Sequence, residues 1–80
     1  MAFSVRLGII SHIMRFCETS KEKTKIMQKV GLNDVLTDSY LTILTRQSML
    51  IQNNGKYVLT NKGHGYLSSY DRLQKIESNY

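Results

Sequence analysis

The sequence predicts a mostly α-helical domain that carries one β-hairpin, and three observations predict it. Residues 49–52 and 56–59 read as two short strands around Asn53, Asn54 and Gly55. Asn and Gly tolerate the positive φ of a tight hairpin turn, which makes this a strong local signal. Three segments with helical apolar spacing precede the hairpin. Thr60 follows it, with a hydroxyl suited to cap a further helix. A lone two-stranded hairpin is marginal in water and must lean on other elements. The order therefore reads as a winged helix-turn-helix: three helices, a β-wing and a C-terminal helix, in one domain over residues 1–80.

The first helix is expected over residues 4–18. Ile9, Ile10, Ile13, Met14 and Cys17 recur at three- and four-residue spacing, an amphipathic stripe. Cys17 lies inside that stripe and reads as a packing residue, not a reactive thiol. His12 falls off the stripe and is expected to be exposed. Phe3, Val5 and Phe16 sit at its edge, where core rim and subunit contact are both open.

Thr19-x-x-Glu22 has the spacing of a capping box and is expected to start the second helix. That helix runs to about Val30, buries Ile26, Met27 and Val30, and stops at Gly31, a natural residue past a helix end. Asn33 is the expected N-cap of a third helix over residues 34–48. Its buried side is read as Leu36, Tyr40, Leu41, Ile43 and Leu44; Val35, Asp38, Ser39, Thr42 and Arg46 lie opposite. The last helix, about 61–78, carries Tyr66, Leu67, Tyr70, Leu73 and Ile76, with Tyr80 near its end. Tyr66, Tyr70, Leu73 and Tyr80 share a narrow stripe with no obvious core left for it. A homodimer seam is the preferred reading, and folding back on the first helix is the alternative.

Several residues carry a family likeness. Tyr57-x-Leu59-Thr60-x-Lys62-Gly63-x-x-Tyr66-Leu67 resembles the closing signature of small archaeal winged-helix DNA-binding domains, among them chromatin-associated ones. Residues 23–27 and Tyr40-Leu41-x-x-Leu44 are similar to the second and third helices of that family, in the same order. The likeness spans residues 5–76. It implies a third helix in the recognition position, dimers formed by the C-terminal helix, and duplex DNA as partner. Ser48-Met49 stands where the family usually has Gly before the wing, so the exit of the third helix is expected to be built differently.

Charge points the same way. Lys plus Arg total 11 against 6 Asp plus Glu, a net charge of +5 on 80 residues. A basic balance on so small a domain favours nucleic acid or another anionic partner. Residues 1–33 hold six basic and two acidic groups, and residues 46–65 hold three basic and none acidic. Lys21, Lys23 and Lys25 at the start of the second helix are open to two readings, a solvated basic face or phosphate contacts. Val35, Asp38, Ser39, Thr42 and Arg46 are the candidates to face a major groove. Ser and Thr bond several base edges, Asp accepts from cytosine N4, and Val touches a thymine methyl. Asn53, Lys56 and Lys62 belong to the wing and its exit, within reach of phosphates or a minor-groove edge. Asp34 and Asp38 oppose this picture, because carboxylates repel the DNA backbone. They motivate a rival reading as a protein-interaction module.

Other function classes find no support. Cys17 is the single cysteine, so no intrachain disulfide is expected and a reducing compartment is the default. No membrane-length apolar run or signal peptide is read, which gives a cytoplasmic, nucleoid-associated expectation. His12, His64 and Cys17 lack metal-site spacing, and no phosphate-binding loop or nucleophile–base set is recognisable. No cofactor, metal, catalytic residue or small-molecule substrate is expected, and the chain reads as a non-enzyme.

Overall fold

The structure is a computed structural model that describes the backbone of residues 2–78 and the side chains of residues 8–72. The elements run α1 (Ala2–Phe16), β1 (Lys21–Glu22), α2 (Lys23–Val30), α3 (Asp34–Arg46), β2 (Leu50–Asn53), β3 (Lys56–Leu59) and α4 (Asn61–Ser78). This is a winged helix. The strands form one antiparallel sheet in the order β1-β3-β2.

Each element contributes a small apolar face to one core. Ile13, Met14 and Cys17 come from α1, Ile26 from α2, Leu41 and Leu44 from α3, Leu50 and Leu59 from the wing, and Leu67 from α4. Ile9, Ile10, Phe16, Val30, Tyr40, Met49 and Tyr57 pack around them. Burying side chains of this size stabilises by about 1.5–3 kcal/mol each relative to leaving them exposed. The Leu59 N–H donates to the Cys17 carbonyl at 2.8 Å, which ties the end of α1 to the wing.

The turns follow from their residues. Gly31 ends α2 in the left-handed conformation (φ 75°), and its N–H returns to the Met27 carbonyl at 2.8 Å. Asn33 caps α3, its side-chain oxygen accepting from the Leu36 N–H at 2.8 Å. At the wing tip, Asn54 and Gly55 both take positive φ (53° and 77°), as a two-residue type I′ hairpin requires. Thr60 caps α4 by accepting from the Gly63 N–H at 2.9 Å.

Two expectations are corrected. The capping box at Thr19 and Glu22 does not form; Glu22 is the N-cap of α2 but makes no side-chain cap bond. Lys21 and Glu22 instead make a short strand opposite Tyr57 and Lys56. This pairs the outer edge of β3, whose backbone groups would otherwise face solvent unpaired. On α3, Leu36 and Ile43 are not buried but 46% and 51% exposed. The inward stripe is Thr37, Leu41 and Leu44, with the Thr37 hydroxyl satisfied by donating to the Asn33 carbonyl at 2.8 Å. Ser48 takes the left-handed conformation itself (φ 61°), and Met49 N–H reaches Leu44 O at 2.9 Å in a Schellman arrangement.

The first half of α4 packs on α1. Leu67 joins the core, and Arg15 of α1 pairs with Asp71 of α4 at 2.6 Å. Among the described residues no helix is long and apolar enough to cross a membrane.

Candidate nucleic-acid interface

The face of α3 that points away from the core carries Val35, Asp38, Ser39, Thr42 and Arg46, all exposed, Val35 to 72%. Their exposure follows from the Thr37–Leu41–Leu44 stripe, which turns the opposite side of the helix outward. The Ser39 hydroxyl donates to its own helix at the Val35 carbonyl (3.1 Å), which leaves its oxygen to accept. Leu36 and Ile43 flank this face and line a shallow cleft against Ile10 and Tyr40.

The lysines at the entrance of α2 do not act as a group. Lys21 lies in β1, donates to the Thr19 carbonyl at 3.3 Å and sits 4.9 Å above the Phe16 ring, with Lys29 5.9 Å from the same ring. Such cation–π contacts hold both charges near α1. Lys23 turns the other way, towards α3, and bridges Asp34 and Asp38 at 2.7 Å each. Hydrogen bonds to Asp34 and then Asp38 hold the Lys23 ammonium above its ordinary pKa. Lys25 points into solvent.

The wing carries charge without such partners. Asn53 and Lys56 face each other at the base of the turn, both exposed. Glu22 of β1 sits opposite Lys56 in register. Lys62, on the first turn of α4, lines an open groove with Thr45 of α3 and Gln52 of β2. Among the described residues, Lys25, Arg46, Lys56 and Lys62 have no ion-pair partner. Arg46, Lys56 and Lys62 lie at the end of α3, on the wing and at the start of α4, and Lys25 lies on α2.

The lone cysteine stays out of this surface. Cys17 is fully buried, and burial pushes its thiol up to about 11, with the Lys21 charge pulling weakly the other way. Sequence reasoning missed the pairing of Lys23 with Asp34 and Asp38. The signal was two acids one helical turn apart at the start of α3, beside a lysine at the start of α2. On α4, Tyr66 is exposed and Tyr70 half-buried; the side chains of Leu73 and Tyr80 lie outside the described residues.

A family model described as winged helix-turn-helix matches residues 5–78. No curated protein matches the chain. Among solved structures, the chain is similar to the crystal structure of Sso10a-2, a DNA-binding protein from Sulfolobus solfataricus. The two are 28% identical, with 89% of this chain and 79% of that chain covered and a TM-score of 0.75.

Proposed function

The chain belongs to the winged helix-turn-helix family, and from that premise we propose that it binds double-stranded DNA without enzymatic activity. It acts as a homodimer in the cytoplasm, on the nucleoid, either regulating transcription or coating DNA as a small architectural protein. The observation that carries the reading is that Arg46 at the end of α3, Lys56 on the wing and Lys62 at the start of α4 are exposed and, among the described residues, without an ion-pair partner. The similar solved protein, described as DNA-binding, supports it. In this reading α3 enters the major groove and Val35, Asp38, Ser39 and Thr42 meet base edges. Lys25, Arg46, Lys56 and Lys62 hold phosphates, and Asn53 at the base of the wing's turn approaches the minor groove.

The test is a titration of random duplex DNA at about 50 and 200 mM salt. Phosphate binding by several lysines predicts a fall in affinity of orders of magnitude between the two. A second reading, protein contact through α3, draws on the exposure of Val35, Leu36 and Ile43. It predicts no binding even at low salt.

The dimer is assigned to α4 through Tyr66, Tyr70, Leu73 and Tyr80. Leu73→Glu puts a carboxylate into that seam, which is costly unless it stays wet or protonated. The expected result is a monomer with sharply reduced DNA affinity, since one particle no longer engages two half-sites. Sedimentation at micromolar concentration decides. A wild type that runs as a monomer, or a Leu73→Glu protein that stays dimeric, removes the dimer from the account.

A further inference from the structure

Lys23 occupies the position on α2 from which a lysine would meet phosphate, yet its ammonium is turned to the neighbouring helix. It is the first residue of α2, Asp34 is the first residue of α3, and Asp38 lies one turn further on. One ammonium therefore crosses the helix-turn-helix corner and holds two carboxylates at 2.7 Å each. The Lys23 side chain is 28% exposed, whereas those of Asp34 and Asp38 remain 69% and 57% exposed. The cation is the covered member of the group, and the acids are presented outward.

Resting on the DNA reading above, we infer that Lys23 is a positioning residue, not a phosphate contact: it clamps Asp34 and Asp38 so that α3 presents a held acidic group to the duplex. Three charges of which two are negative leave the start of α3 with a net charge of −1. A phosphate backbone is repelled there at short range, over roughly a Debye length of 8–10 Å. Non-specific adhesion then falls to the wing-side cations. An Asp38 oxygen held by Lys23 is fixed where it can accept a hydrogen bond, and among base edges in the major groove cytosine N4 is the donor that fits a carboxylate. The clamp thus makes the start of α3 discriminate between duplexes instead of adhering to all of them. It also accounts for carboxylates on a DNA-facing helix, which a purely adhesive surface would exclude.

Amine-labelling footprints of the wild type, free and with a random duplex, test the clamp at the atom concerned. Lys23 should label several-fold more slowly than Lys25 in the free protein and change little on adding DNA, while Lys56 gains protection. In Asp34→Asn/Asp38→Asn the Lys23 amine should label at the rate of Lys25. The same variant should bind random duplex more tightly, with a log–log salt slope steeper by about one unit as the freed lysine neutralises one phosphate. A Lys23 that labels as fast as Lys25 in the free wild type shows no clamp and overturns the inference. So does protection of Lys23 by DNA equal to that of Lys56, or a double-variant slope no steeper than wild type. If no lysine is protected by duplex, it is the DNA reading that fails, and slow labelling of Lys23 in the free protein still supports the clamp.

Discussion

The two corners of this domain are built with the same turn chemistry and held by opposite means. At the α2–α3 corner, a left-handed Gly31 and the Asn33 cap set the turn, and the Lys23–Asp34–Asp38 charges hold it. At the α3–wing–α4 corner, a left-handed Ser48 and the Thr60 cap set the turn, and close backbone contact holds it. There the Thr60 hydroxyl donates to the Ser48 carbonyl at 2.6 Å, and Thr60 N–H reaches Met49 O at 3.0 Å. The first corner spends its cation internally; Lys62 beside the second, and Lys56 at the hairpin turn beyond it, have no ion-pair partner among the described residues. Charges on a wet surface are cheap to rearrange, whereas packed backbone is not. The packed corner therefore fixes backbone geometry, while the charge-held corner is the one that a single change of charge alters.

The sharpest way to break this contrast is at Gly63. A Cβ there would fall on the Met49 carbonyl oxygen and 2.5 Å from Leu59 Cδ1, so backbone would have to move. Gly63→Ala should destabilise by about 1–3 kcal/mol, the usual range for overpacking. Gly65, two residues on in the same helix, has nothing within 4 Å of such a Cβ. Gly65→Ala should gain about 0.5–1 kcal/mol from helix propensity. Denaturant unfolding of the pair checks both, and equal shifts for the two variants would mean that the corner is not held by close approach.

On the outward face of α3, Thr42→Ala and Ser39→Ala should change which duplexes are preferred, by about 1–3 kcal/mol at the contacted position, with little effect on random DNA. Selection from a random pool is the measurement. The same motif from wild type and both variants would leave α3 without a reading role.

A smaller effect is expected at Ser48, which adopts φ 61° without being glycine. Ser48→Gly should stabilise by about 1 kcal/mol, because the left-handed region costs a side-chain-bearing residue roughly that much. A lower melting temperature for this variant would mean that the Ser48 side chain makes a contribution the backbone argument omits.

What was legible in the sequence is what local chemistry decides. Asn53-Asn54-Gly55 reads as a tight turn, of which Asn54 and Gly55 make the turn and Asn53 ends β2; Asn33 and Thr60 are caps by residue type, and Gly31 stops a helix. The wing, its turn, the end of α2 and the starts of α3 and α4 followed from these, and α1 from its apolar spacing. The first strand was not legible, because Lys21 and Glu22 become a strand only by finding the open edge of β3, more than thirty residues away. Thr19-x-x-Glu22 offered a local alternative that the sheet outcompeted. Leu36 and Ile43 were misplaced for a related reason: a core this small has room for one narrow stripe of α3, and Thr37 takes a place in it by satisfying its own hydroxyl. The candidate site was legible as a set of exposed residues on α3 and the wing. Its charge pairing was not, since Lys23 meets Asp34 and Asp38 only once α2 and α3 are packed.

The central claim, that cations on the wing and at the start of α4 carry DNA affinity, is tested most directly by the salt dependence of Lys56→Ala/Lys62→Ala beside wild type on one random duplex. Two lysines that each neutralise a phosphate predict a log–log slope shallower by about two units, with weaker binding to every sequence alike. An unchanged slope in a variant that folds and melts like wild type would contradict the account and move the DNA-binding surface elsewhere.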